Sequence, residues 1–451
     1  MKKIIAREIE NLKNRIEKFF EKEAVDVDQA ESYFTDEITR TVCQLLSSCY
    51  EAKDAELLAD KATRRESGLA VERRGDKRQV VTRLGIVSYR RTYYACRDGG
   101  YCYPIDKVAG LESYQRVSSG VGLELVEAAR EMSYARASEN VTGGLVSKQT
   151  VMRKIREAVP VTEVSERRSV PVLHVDADED HVKLQTGAGR IIPLVSVYEG
   201  IERRGKRGVC KNVFHCAEFG KKSDDFWEEV LSEIERRYDL SNTKIYLHGD
   251  GAPWIRQGLE WLPNCEFVLD RYHLNKALKQ AVSGIERKSG SQYEYMLRQA
   301  LNDGDQERFG SICDSLLVRW PERQRTILEA ANYLLNNFDA IHVYSTDAQA
   351  RNGGATEPHV SHVLSSRLSS RPMGWSVKTL KKFVPILAAG QCTFQAPNPE
   401  IALKKNRKIS HTVKKTKTHT LGLPHPDLAA SMPVKNGKII SLSKLLRTIS
   451  R

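Results

Sequence analysis

The chain has 451 residues, 40% of them hydrophobic and 29% charged, which allows two to four soluble globular domains and excludes fibrous or low-complexity classes. No apolar run is long enough to cross a bilayer, and the N-terminal segment mixes acids with bases unlike a secretory leader, so a cytoplasmic, nucleoid-associated protein without membrane contact is expected. The 71 basic against 58 acidic residues leave a net charge of +13, which suits a polyanionic partner such as nucleic acid.

Residues 1–75 read as an N-terminal helical region. Ile5, Ile9, Leu12, Ile16 and Phe19 recur at helical spacing, and a second apolar-periodic stretch runs from Ile38 to Leu57. The period then changes. From Arg78 to Cys96 the chain is β-branched and aromatic, with Gly85 at the turn of a hairpin. Arg78, Arg83, Arg90 and Arg91 interleave there with Tyr89, Tyr93 and Tyr94, a pattern that serves either an ordinary exposed ribbon or a nucleic-acid contact. Helices resume near Leu123. Ser133 caps a helix from Tyr134 to Val141, Thr142-Gly143-Gly144 turns, and Ser147 caps a second helix from Lys148 to Glu157. With Val151 and Ile155 inward and Lys148, Arg153, Lys154 and Arg156 outward, the pair reads as a helix-turn-helix that contacts DNA through those four residues, or else as a plain helical hairpin. Residues 76–165 are therefore taken as a DNA-binding region.

The centre, 166–390, has the order β-β-β-α-β-α-β: strands from Val170 to Asp178, Ile191 to Tyr198 and Val209 to Phe219, a helix from Asp225 to Arg237, a strand from Lys244 to His248, a helix from Pro253 to about Leu259, and a strand from Glu266 to Leu269. This is the order of a ribonuclease-H-like α/β core with a mixed sheet, in which functional groups sit at strand ends. A wholly helical insertion at about 274–345 follows, then the loop from Arg351 to Thr356 and a helix that begins near Glu357-Pro358. Residues 391–451 carry Lys404, Lys405, Arg407, Lys408, Lys414, Lys415 and Lys417 and read as a basic, phosphate-contacting tail. The nine cysteines form no C-x-x-C pair and have no histidine at zinc-finger spacing, so they are read as reduced structural residues.

Four carboxylates crowd the segment His174 to His181. Acids so placed repel one another unless protons or a cation neutralise them. Two-metal phosphodiester chemistry needs carboxylates that hold two divalent ions about 3.5–4 Å apart. In a ribonuclease-H-like sheet they come from the first strand, the end of the fourth strand and a later helix. Asp178, Asp250 and Glu357 occupy those places, with spacings of 72 and 107 residues, and Asp176 and Asp180 remain alternatives for the first.

The strings Ala-Asp-Glu-Asp-His-Val (177–182), Gly-Asp-Gly-Ala-Pro-Trp-Ile (249–255), Leu-Asp-Arg-Tyr-His-Leu (269–274) and Ser-His-Val-Leu-Ser-Ser-Arg-Leu (361–368) resemble those of the ISLre-type insertion-sequence transposases, which are similar to the Mutator-like DDE transposases. The resemblance covers most of the chain. It implies Asp178, Asp250 and Glu357 as catalytic, metal-holding residues, with Asp270 and His273 auxiliary in an Asp-x-x-His signature. It further implies two Mg²⁺ ions (Mn²⁺ in their place), terminal inverted repeats and target DNA as partners, and a homodimer or higher assembly on DNA. Water would be activated to nick the element ends, and the resulting 3′-hydroxyls would attack the target. One departure is Pro358, where the pattern has glycine. Two rival readings are a decayed or repurposed DNA-binding protein and a nuclease without strand transfer.

Overall fold

The change of period near residue 70 marks the first change of architecture in the computed structural model, which describes residues 2–21, 25–161, 166–205 and 207–394 of the unit Met1–Ala396. The basic segment from Lys404 to Lys417 lies outside the described residues. Helices α1 (Lys2–Phe20) and α2 (Val27–Ala59) pair through stacked Phe19 and Tyr33, and Asp26 caps α2 by accepting the Gln29 N–H. Strands β1 (Leu69–Thr82) and β2 (Gly85–Cys96) form the antiparallel hairpin, which starts earlier than Arg78. Gly85, with φ +105°, makes its turn. Val87 and Tyr89 of β2 pack on Cys43 of α2 and on Ile105, a small core of their own.

Three helices follow: α3 (Ser119–Glu131), α4 (Tyr134–Thr142) and α5 (Lys148–Glu157). Each starts at a serine, Ser118, Ser133 or Ser147, whose hydroxyl accepts the N–H three residues on. Beyond the short β3 (Ala158–Pro160) come β4 (Val172–Lys183), β5 (Gly189–Tyr198), β6 (Phe214–Ala217), α6 (Ser223–Arg237), β7 (Lys244–Gly249) and β8 (Cys265–Leu269). The five long strands form one mixed sheet in the order β6-β5-β4-β7-β8, antiparallel on the β6 side and parallel on the β8 side.

Strand alternation sorts the residues of this sheet between its two faces. Leu173, Val175 and Ala177 of β4, with Val195, Val197, Ile245 and Leu247, face α6 and the main core. The helical insertion, α7 (Arg271–Ala281), α8 (Arg287–Asp303), α9 (Gln306–Arg319), α10 (Gln324–Asn336) and α11 (Phe338–Thr346), contributes Leu278, Leu301, Phe309 and Leu334 to that same buried cluster. It is therefore part of the core rather than an appendage. The chain then forms α12 (Thr356–Val360), which continues through a π-turn (Ser361–Ser365) to Leu368, followed by α13 (Val377–Ala389). Strand β9 (Cys392–Phe394) pairs with β3. On the second face, Val182, Ile192 and Leu194 join Val121, Leu125, Val151 and Ile155 of α3 and α5, and Val360, Leu364 and Phe383.

The mixed α/β character is as expected, and three local expectations change. The run Val209 to Phe219 is not one strand: a hairpin (Ile201–Arg204 with Arg207–Cys210) precedes β6, and Asn212, at φ +53°, breaks it. The helix at Pro253 divides into two single turns, Pro253–Arg256 and Gly258–Trp261. Strand β4 does not end at the acids but continues to Lys183, paired with β5 throughout. Among the described residues no helix is long and apolar enough to cross a membrane, and no disulfide joins the nine cysteines.

Candidate active site

Register brings the predicted acids together. Parallel pairing sets Asp176 opposite His248, and Gly249 opposite Leu269. Extending both ladders in register lines up Asp178, Asp250 and Asp270 across three neighbouring strands. Asp178 lies within β4, opposite Leu194, while Asp250 and Asp270 directly follow β7 and β8. Glu357 arrives from the other direction, exposed in the first turn of α12, which packs on β4.

The side chains sense one another. Burial pushes the Asp178 carboxyl up to about 6, opposed by the Glu179 N–H and His273 and reinforced by the negative charges of Asp250 and Glu357. Asp270 caps α7, accepting from the Tyr272 N–H, and bonds His273 Nδ1 at 3.2 Å. That bond raises the His273 pKa against its burial, and the charges of Asp250 and Asp178 raise it further. The auxiliary pair predicted from Asp-x-x-His is therefore adjacent to two of the three acids. Asp250 Oδ1 accepts the Ala252 N–H at 2.8 Å, and its backbone carbonyl accepts from the Tyr333 hydroxyl of the insertion at 2.7 Å.

The other acids of the crowded segment are committed elsewhere. Asp176, 2% exposed, accepts from the Tyr198 hydroxyl at 3.0 Å and from the Ala355 N–H at 2.7 Å, while the Tyr198 hydroxyl accepts the Gly354 N–H at 2.8 Å. Burial pushes Asp176 up to about 7 against those bonds. Asp180 accepts from Ser365 at 3.0 Å and Ser369 at 2.7 Å. Glu179 accepts the indole N–H of Trp254 on the opposite face of the strand. Next to Asp176, His174 Nδ1 and His248 Nε2 are 3.1 Å apart and both rings are 1% exposed. Burial depresses them to about 4 and about 3. The loop leading to Glu357 lies directly on them: a Cβ on Gly353 would stand 2.2 Å from His174 and 2.4 Å from His248. Sequence reasoning missed His174, His248, Tyr198 and Gly353. The period-two pattern of β4 was the available signal, since it puts His174, Asp176, Asp178 and Asp180 on one face.

The four predicted DNA contacts divide. Lys148 and Arg153 are exposed at the surface of α5. Lys154 pairs with Glu157 and lies over the Phe394 ring, and Arg156 donates to Ser376 and Thr379. The reading of all four as outward-facing fails for these two because α5 is flanked by α13 and β9.

Asp178, Asp250 and Glu357 offer oxygen donors alone, the chemistry Mg²⁺ or Mn²⁺ selects. Among the described residues no three His, Cys, Asp or Glu side chains are grouped to hold a metal ion by themselves. The donor chemistry suits a hard divalent ion, while the three side chains are not gathered into a cage around one.

The uncharacterised protein family UPF0236 matches residues 21–397. A UPF0236 protein of Caldanaerobacter subterraneus subsp. tengcongensis, whose name joins eleven loci, is 36% identical over 433 residues, 92% of this chain and 89% of its own. A second from that organism, joining four loci, is 36% identical over 422 residues, 90% of this chain and 87% of its own. A UPF0236 protein in a vanSb 3′ region of Streptococcus gallolyticus is 28% identical over 313 residues, 66% of this chain and 67% of its own. The open acidic site on a mixed sheet is thus carried by a chain that belongs to the uncharacterised protein family UPF0236.

Proposed function

We propose that the protein is a DDE transposase that cuts and joins the DNA ends of its own insertion sequence. The observation that carries the reading is that Asp178, within β4, and Asp250, directly after the adjacent parallel strand β7, fall in line when their ladder is extended, with Glu357 in the first turn of α12, which packs on β4. The sheet order, three antiparallel strands continued by two parallel ones, supports a ribonuclease-H-like core. Relatives whose names join eleven and four loci of one organism fit a gene that multiplies within a genome.

Asp178, Asp250 and Glu357 would hold Mg²⁺, which when bound supplies activation of the attacking oxygen and stabilisation of the leaving one. Asp270 orients His273 and favours its charged form, the one that can neutralise a scissile phosphate held near Asp178 and Asp250. Lys148 and Arg153 of α5 offer the exposed charge for backbone contacts along the element end. Two ends must be joined, so a dimer or larger assembly on DNA is required. The test is strand transfer of labelled element ends with Mg²⁺. Joined products that vanish in Asp178→Asn support the reading. Cleavage without joining points to a nuclease. In a rival reading the protein only binds DNA, and end binding with neither cleavage nor joining would establish it.

A further inference from the structure

Three carboxylates occupy successive positions on one face of β4, yet they face different partners. We infer that Asp176 and Asp180 are positioning residues that fasten the Glu357 segment along β4 at both ends, and that neither is a metal ligand. The inference rests on the proposed function for the meaning of Glu357, though the fastening itself is independent of it.

Asp176 and Asp180 are 2% and 6% exposed. Asp176 grips the chain two residues before Glu357, directly at the Ala355 N–H and through Tyr198 at the Gly354 N–H. Asp180 grips it after Glu357, with Oδ1 accepting both Ser365 and Ser369 hydroxyls. The lengths match. Four residues of strand from Asp176 to Asp180 span about 13 Å. Ten residues of helix from Ala355 to Ser365 span about 15 Å. Segment and strand therefore run side by side in the same direction, and Glu357 falls near the Asp176 end. Ser365 and Ser369 are one helical turn apart and so present their hydroxyls together, while Val360 and Leu364 face the second core. Both oxygens of Asp176 accept from the Tyr198 hydroxyl and one also from the Ala355 N–H, while Oδ1 of Asp180 accepts from both serines, so each carboxylate is bonded to the segment that carries Glu357 or to the tyrosine that holds it.

Asparagine separates the two roles at position 180. Its carbonyl oxygen can still accept both serine hydroxyls, while its amide NH2 takes the place of Oδ2, which has no hydrogen-bond partner, so the charge is lost and the fastening bonds are kept. The experiment uses the full-length protein, Mn²⁺ titration by calorimetry and hydrogen–deuterium exchange of residues 353–369. Asp180→Ala and the double variant Ser365→Ala/Ser369→Ala should each weaken Mn²⁺ binding about tenfold. Each should also speed exchange in 356–369 while β5 and β7 keep wild-type rates. Their combination should be no worse than either alone. Asp180→Asn should remain within about twofold of wild type on both measures, whereas Asp178→Asn loses Mn²⁺ binding. Tyr198→Phe tests the other end and should speed exchange at Gly354. If Asp180→Ala does not fold, the serine and asparagine variants carry the test. Asp180→Asn losing Mn²⁺ as fully as Asp178→Asn would overturn the inference, as would unchanged exchange in the serine variant. A wild-type protein that takes up no Mn²⁺ sinks the transposase reading, and the exchange rates alone then decide the fastening.

Discussion

Gly353→Ala is the smallest change that reaches Glu357 without touching it. Its Cβ would stand 2.2 Å from His174 Nδ1 and 2.4 Å from His248 Nε2. Neither ring can swing aside, because both are 1% exposed and each holds the other at 3.1 Å. The loop must move instead, by about 1.2 Å to reach an ordinary 3.4 Å contact. That displacement exceeds the tolerance of the adjoining bonds, Gly354 N–H to Tyr198 at 2.8 Å and Ala355 N–H to Asp176 at 2.7 Å. Overpacking costs roughly 1–3 kcal/mol and a weakened bond to a buried carboxylate a further ~1–2 kcal/mol. We expect a loss of about 3 kcal/mol, read as a lower urea midpoint. DNA joining should fall by one to two orders of magnitude, because a shift of about 1 Å in a site group can cost about 100-fold. A Gly353→Ala protein with the wild-type midpoint and undiminished joining would refute the claim that this loop is seated on the histidine pair.

Asp178→Asn, Asp250→Asn and Glu357→Gln should each reduce nicking and joining by at least ~10³-fold while leaving the urea midpoint no lower than wild type, since each removes charge from a repelling group; activity retained in any one of them removes it from the site. Lys148→Ala and Arg153→Ala should each lower the salt slope of DNA binding by about 1, whereas Arg156→Ala, whose guanidinium is held by Ser376 and Thr379, should lower stability and leave that slope intact. Fluorescence titrations at several salt concentrations distinguish these outcomes. His215, depressed to about 3 by burial and by His359, binds its proton near 6.5 once unfolded. Its folded pKa is the lower one, so its contribution is complete above about 6.5 and is lost as pH falls toward 3. The destabilisation caused by His215→Gln should accordingly shrink by roughly 2.7 kcal/mol between pH 7.5 and 4.5, and a penalty independent of pH would count against a neutral buried ring.

Much of this was legible in the chain because period and punctuation are local. The serine caps of α4 and α5, the Gly85 turn and the strand-helix alternation from β4 to β8 follow from spacing alone. Asp178, Asp250 and Glu357 were legible as candidates for the same reason: each sits where an element starts, ends or alternates. What was not legible depends on contacts between distant segments. No local pattern says that Asp176 bonds Ala355 or that Asp180 bonds Ser365, so both remained alternatives to Asp178. Arg156 looked outward because the helical wheel of α5 cannot reveal that α13, more than 200 residues later, covers that side. The run from Val209 misled because β-propensity ignored the left-handed Asn212.

The pairing of β3 with β9 has a consequence in time as well as space. Ala158 meets Phe394 and Pro160 meets Cys392 only after the intervening sheet, insertion and α12 have been made. The second core is likewise split between residues 117–219 and 360–388. A nascent chain synthesised from its N-terminus would hold Asp178 and Asp250 on a half-covered sheet until its last segments emerge. Contacts so far apart in sequence close late and slowly. Products ending before α12 would therefore carry Asp178 and Asp250 without Glu357 and expose an uncovered apolar face, a species for proteases to clear.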